Sequence, residues 1–418
     1  MNFIRKTVPF ALALLPYFLT GPIEANLYKS PKALGRAGAV VASPQDSMTI
    51  AYNPAAAAFV GNRWDLGLTW IHNLGRHTYS DNDNIDGVYD PFVNGRDLFV
   101  PEFGVNQVMC ECTMTWGFVI YNQEYYKVDY DTPNFLFGSS NLGLEYLHYV
   151  ASPSWSILFG CDHALGITLD FHGHRLKING LEDFANDFYT NNPNQFTNKG
   201  YDYAGAIGAT VGWISHLAYG VTLGLSYSPP VDWIIGKFND YRGSVADRAL
   251  LKLPARYLAG LEIQMVCGLF AEFDVEHVQY NQIRPLSQKL LPAFEEEFGF
   301  GTKDGVGLGW RDQTIFRFGL EWEWDDDFAF RVGWWHHRTP IVSSETLANT
   351  LVPNVLENYV TWGGTMACGC LNEINFFGAY GFKSTVHGRD SIPDDLGGGE
   401  VDIEGEKWMF GMSWGRKF

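Results

Sequence analysis

Two consecutive stretches near residue 320 most constrain what this chain can become. Phe316, Phe318, Leu320, Trp322 and Trp324 alternate with Arg317, Gly319, Glu321 and Glu323. Phe328, Phe330, Val332 and Trp334 then alternate with Ala329, Arg331 and Gly333. A period of two belongs to a strand, whose side chains point to opposite faces in turn. Only three aspartates, 325–327, separate the runs, so they read as a hairpin. One face of it is aromatic and the other carries full charges.

The pattern recurs from residue 63 to the C-terminus. Strands are predicted over 63–73, 98–109, 113–127, 143–160, 164–178, 201–215, 219–240, 253–266, 269–282, 313–324, 328–338, 358–368, 373–387 and 405–418, fourteen in all. The stretch closest to a spanning helix, Tyr203 to Tyr227, also alternates. Ile207, Ala209, Val211 and Trp213 take turns with Gly208, Thr210 and Gly212.

A soluble sandwich hides its apolar face, whereas a barrel in lipid turns that face outward and keeps the polar one inside. Lipid satisfies no backbone group, so such a sheet must close. Arg or Lys facing lipid at mid-depth would cost about 2–4 kcal/mol, and the apolar faces quoted above carry neither. Every second connection is short (CEC, GCDHA, SHLA, CG, DDD, GCLN) and the others are long. That is the pattern of short periplasmic turns and long outer loops. The expected fold is all-β: a 14-stranded antiparallel transmembrane β-barrel in the outer membrane of a Gram-negative-type cell. Phe418 ends the last strand, which suits insertion into outer-membrane lipid by the barrel assembly machinery.

The N-terminus has the layout of a secretory signal over 1–25: Arg5 and Lys6, an apolar run from Val8 to Thr20, then Ala25 at a cleavage point. The net charge is −18, and −19 without residues 1–25, which carry Arg5, Lys6 and Glu24. Nucleic acid as a partner is excluded, because its phosphates need a basic face.

Between the signal and the first strand lies LGRAGAVVASPQDSMTIAYNPAAAA, which resembles the N-terminal hatch of FadL-type long-chain fatty acid transporters. LPARYLAGLEI, FDVEHVQY, FRFGLEWEW, FRVGWWHHRTP and NYVTWGGTMA are similar to successive strand signatures of that family, in its order. The resemblance implies a 26–62 hatch, a plug in the lumen of a 63–418 barrel. Physics agrees that something must fill a lumen too wide for wall side chains alone. The resemblance also implies passive, hatch-gated uptake of long-chain fatty acids or other hydrophobic small molecules. Its gate falls on Asn53, Pro54 and Ala55. Gly208, Gly212, Gly220 and Gly224 point inward and would make room for the hatch or the passage.

In the family an inward kink in the third strand opens the wall sideways. The matching residues here are Asn122, Gln123 and Glu124, where relatives often carry Pro or Gly. The inward charges Glu272, Asp274, Glu276, Arg317, Glu321, Glu323 and Arg331 read as a lumen network, with Arg317 and Arg331 candidates to meet a ligand carboxylate. The outer loops offer Phe184, Phe188, Leu290, Leu291, Phe294 and Phe298 for substrate capture, or for ordinary loop packing.

No cofactor or metal is expected. Asp170, His172 and His174 share one face, which a polar lumen wall explains. The stretch SDNDNIDGVYDPF puts Val93 where a calcium loop needs glutamate. No nucleophile elbow marks an enzyme. The six cysteines, Cys110, Cys112, Cys161, Cys267, Cys368 and Cys370, all fall at short turns and so on one rim. Export permits disulfides, between turns or to other envelope proteins, with 15 pairings open. Two functions therefore stand: a transporter for hydrophobic molecules, or a structural envelope barrel cross-linked by periplasmic disulfides. A diffusion porin is a weaker third.

Overall fold

The computed structural model describes residues 29–109, 113–134, 136–190, 193–233, 237–238, 251–290 and 306–418. The signal segment, Cys110, Cys112, Leu291, Phe294 and Phe298 lie outside them.

The wall strands are β1 (Arg63–Ser80), β2 (Asp97–Met109), β3 (Met114–Pro133), β4 (Asn141–Phe159), β5 (His163–Asn179), β6 (Asp202–Ala218) and β7 (Val221–Ser228). They continue as β8 (Arg256–Val266), β9 (Leu269–Val278), β10 (Gln313–Glu323), β11 (Phe328–His337), β12 (Asn358–Cys368), β13 (Asn372–Val386) and β14 (Glu400–Lys417). Each pairs antiparallel with its sequence neighbours. β14 closes on β1 from Arg63↔Lys417 to Ser80↔Glu400. The three-residue strand Gly87–Tyr89 is appended to β1, so the closed ring has fourteen strands among the described residues.

The two faces behave as a membrane barrel requires. Leu66, Leu68, Phe103, Ile167, Phe171, Ile207, Phe318, Val332, Trp362 and Met412 are exposed on the outside. Asp65, Thr69, Asp170, Asp274, Arg317, Glu321 and Thr361 are buried on the inside. No described helix is long and apolar enough to cross a membrane. Lipid is the environment that stabilises so wide an apolar exterior on a closed sheet.

Several expected boundaries move. β1 runs on to Ser80 and β14 starts at Glu400, because the pair continues above the lipid. There the outer face need not be apolar, and the alternation fades although the ladder does not. The expected strand 219–240 is wall only over Val221–Ser228. Pro229 and Pro230 then end the ladder, lacking donors for it, and Val231–Trp233 pairs instead with Leu251–Leu253. Gly220 is not a wall residue: it sits in the β6–β7 turn at φ +70°, a conformation that favours glycine.

The long loops are not loose. Tyr79, Phe92, Leu136, Phe184, Phe196, Trp233, Leu290, Trp310, Val352 and Ile392 belong to one buried apolar cluster over that end of the barrel. Phe184 and Leu290 are therefore packing residues, while Phe188 is 66 % exposed.

Candidate functional site

Residues 29–62 fold into short helical turns, Pro31–Leu34, Ser47–Ala51, Pro54–Ala56 and Ala57–Val60. Such a piece has too little apolar surface to fold alone, and the wall supplies its partners. Glycines on β2, β3, β5, β6, β7 and β11 bring the wall backbone into contact with it. A Cβ on Gly212 would lie 2.0 Å from Asn53 Oδ1, on Gly166 2.3 Å from the Pro54 carbonyl carbon, and on Gly224 2.1 Å from Val41 O. Gly104, Gly117 and Gly333 meet Ser47, Ile50 and Arg36 in the same way. Gly208 instead faces Val231 and His172.

Asn53 is buried and caps the turn that follows, accepting from Ala55 N at 3.1 Å. Its amide donates to Val41 O at 2.9 Å and to Trp213 O on β6 at 3.1 Å. Pro54 and Ala55 press against Gly166 of β5. One side chain thus joins two parts of the segment to the wall.

The inward charges are engaged with this segment. Arg36, fully buried, donates to Glu272 at 2.6 Å, Glu262 at 3.1 Å and Glu321 at 3.0 Å. Burial alone would lower its pKa, but the three carboxylates overcome that and raise it. Asp274 accepts from the backbone N–H groups of Val40 and Val41, and Glu272 from that of Ala42. Arg317 pairs with Glu276 at 2.6 Å and Arg331 with Glu321 at 2.9 Å. Glu323 lies apart, exposed. Neither arginine borders the two cavities described next. This network was legible only as a list of charges, since Arg36 sits 226 to 285 residues from its partners.

Two adjoining cavities occupy the space above the N-terminal segment. The outer one, about 150 Å³, is lined by Leu144, Tyr146, Leu176, Trp233, Tyr280 and Trp310 among others. The inner one, about 50 Å³, has a mixed lining in which Lys29, Gln123, His148, Asp170, Thr210 and Arg256 supply the polar groups. Glu124, Leu253 and Pro254 border both. Lys29 donates to Ala51 O at 2.9 Å and sits 4.5 Å from the centre of the Tyr121 ring. Burial pushes its pKa well below the ordinary lysine value. Sequence reasoning missed Lys29 because it precedes every recognisable motif.

β3 passes these cavities irregularly. Its register against β4 shifts between Asn122 and Glu124, leaving Gln123 as an extra residue. Inward parity changes there, from Val119 and Tyr121 to Glu124, Val128 and Tyr130. The Asn122 amide bridges the shift, donating to the carbonyls of Glu124 (3.2 Å) and His148 (3.1 Å). On its other side β3 pairs with β2 only from Met109↔Met114 to Phe103↔Ile120. Beyond that, Asp97–Glu102 of β2 pair with β1 alone. Pro101 lies in that stretch and has no N–H for a ladder. Tyr125 has outward parity yet is only 1 % exposed.

His172 and His174 do share the inner face. Nδ1 of His172 meets His148 Nε2 at 2.9 Å, and Nδ1 of His174 meets the Tyr146 hydroxyl at 2.8 Å. Asp170 instead accepts from Ser152 and Thr210. Among the described residues no histidine, cysteine or carboxylate cluster is placed to hold a metal.

The expected disulfides between turns do not form among Cys161, Cys267, Cys368 and Cys370, all four being exposed free thiols. They stand on three tight turns, with Cys368 and Cys370 sharing the one between β12 and β13.

No protein-family model and no curated protein matches the chain. Solved structures do. A Pseudomonas aeruginosa FadL homologue is 14 % identical, over 96 % of this chain and 100 % of that one, with a TM-score of 0.71. The P. putida toluene transporter TodX is 13 % identical, over 93 % and 98 %, with a TM-score of 0.67. The Ralstonia pickettii toluene transporter TbuX is 14 % identical, over 94 % and 99 %, with a TM-score of 0.66. The chain thus has the fold shared by that FadL homologue and those toluene transporters, a fourteen-stranded outer-membrane β-barrel.

Proposed function

We propose that this barrel takes up hydrophobic small molecules passively across the outer membrane, with residues 29–62 as its hatch. The fatty acid and hydrocarbon classes are both candidates, given the proteins that share the fold. The supporting observation is the position of the cavities. They open from an apolar roof, descend to the hatch at Lys29 and Ala51, and reach β3 where its ladder to β2 is missing. An apolar ligand gains roughly 0.8 kcal/mol for each buried methylene, so it resists a wet pore and is best released sideways into lipid. The kink at Asn122, Gln123 and Glu124 gives that route an entrance, and Asn53, Pro54 and Ala55 hold the floor beneath it.

The test is uptake of radiolabelled oleate and toluene by a host lacking its own transporters of this kind, at matched surface levels. We expect the parent to restore uptake of at least one of them. Asn53→Ala loses three hydrogen bonds, each worth about 1 kcal/mol, and is expected to cut that uptake by roughly tenfold. A correctly inserted parent that moves neither compound overturns the reading.

A second reading rests on the four exposed thiols at one rim. In an oxidising envelope each could lose its hydrogen, together with a partner protein's thiol, to the compartment's disulfide-forming oxidant. Non-reducing gels of whole envelopes are then expected to show high-mass species that collapse on reduction. They should vanish in the variant with all six cysteines changed to serine. A monomeric band in both rules out the cross-linked role.

A further inference from the structure

We infer that the preferred ligand is a single aromatic ring bearing a hydrogen-bond-donating substituent, such as a phenol, rather than a pure hydrocarbon or a long-chain fatty acid. This rests on the transport reading above and narrows it. Three observations carry it.

The first is size. The outer cavity of about 150 Å³ matches the engineered apolar cavity of about that volume which admits benzene. An extended long acyl chain does not fit within it. The second is lining. Tyr146, Trp233, Tyr280 and Trp310 all border it, and aromatic rings favour edge and offset contacts with another ring.

The third is the floor. Glu124 borders both cavities, and no described residue hydrogen-bonds or ion-pairs with its carboxylate. A carboxylate facing an apolar space is costly without a donor. It sits where a ring in the outer cavity would direct a substituent into the inner one. Below it His148 is buried, with Nδ1 lacking a partner, and Lys29 keeps donors beyond its one bond to Ala51. A hydroxyl can donate to Glu124 and accept from one of these groups. A methyl can do neither. A carboxylate head would meet Glu124 and Asp170 as like charges, while Arg256 on the same cavity is already paired with Glu276 and burial disfavours the charged form of Lys29.

The test is equilibrium dialysis of radiolabelled p-cresol, toluene and oleate against the purified full chain in detergent, with protein-free micelles subtracted. Heat-modifiable mobility on gels checks the fold of each variant. For the parent we expect p-cresol to bind at least about tenfold more tightly than toluene, as a hydrogen bond to a charged group provides. Glu124→Leu should bring the ratio to about one. Glu124→Gln, which keeps an acceptor, should hold an intermediate ratio. Toluene bound as tightly as p-cresol by the parent, an unchanged ratio in Glu124→Leu, or oleate bound far more tightly than either overturns this inference alone. Binding of none of the three overturns the transport reading with it.

Discussion

Gly212→Val is expected to unseat the hatch and leave the barrel wall standing. A Cβ at this position would lie 2.0 Å from Asn53 Oδ1 and 2.8 Å from Pro54 Cδ. Neither neighbour is the free end of a flexible side chain, since Asn53 is held by three hydrogen bonds and Pro54 by its ring. The wall cannot yield either, as Gly212 is laddered to both Gly166 and Ser226. The segment therefore has to move. Overpacking of this kind costs about 1–3 kcal/mol even where the surroundings adjust. Emptied of its plug, a ring of fourteen strands leaves an aqueous passage. Planar-bilayer conductance is expected to rise roughly tenfold or more over the parent, while heat-modifiable mobility stays that of a folded barrel. A parent-like conductance from the folded variant would show that the segment does not seal the lumen.

Arg36→Met is expected to loosen the other half of the same segment. Its guanidinium is the common partner of Glu262, Glu272 and Glu321, and Glu262 and Glu272 stand opposite each other in the ladder of β8 and β9. Methionine fills much of the volume but leaves those carboxylates facing one another. Removing one side of a buried ion pair costs about 3–5 kcal/mol, more than enough to open a segment held by a few short turns. Backbone hydrogen exchange over residues 29–46 should quicken by about a hundredfold or more, while the wall strands exchange as before. Adding Glu272→Gln should recover part of the protection, because it removes one of the unpaired charges. Slow exchange in the single variant would mean that the glycine contacts alone hold the segment.

These two predictions meet the transport reading from opposite sides. Arg36 anchors the segment to β8, β9 and β10, whereas Asn53 ties it to β6 beside the inner cavity. A local shift around Asn53 can open the floor without releasing Arg36. That arrangement separates gating from retention, and it makes Asn53→Ala a transport variant and Arg36→Met a stability variant.

How much of this was readable beforehand differs by level. The run from Phe316 to Trp334 announced its hairpin, and β10 and β11 lie within one residue of the expected ranges. Cys161, Cys267, Cys368 and Cys370 lie at the short turns where the alternation placed them. By contrast, the expected strand 219–240 ran too long, since alternation does not register that Pro229 and Pro230 interrupt the ladder. The inward glycines on β6 and β7 were legible as room, but not which hatch atom each one meets. Glu124 was noticed only as a departure from a kink motif, and Lys29 not at all.

The sequence by itself determined that the chain forms a closed sheet with apolar residues outward. Each residue reports its own side of the wall, and lipid on one side and polar groups on the other impose a period of two that survives in local order. Only the tertiary structure decided what the inside does. Arg36 finds Glu321, Asn53 finds the backbone at Trp213, and Glu124 comes to lie between two cavities because the ring closes. Those pairings join residues more than a hundred positions apart, or depend on where one ladder stops, and no periodicity along the chain encodes either.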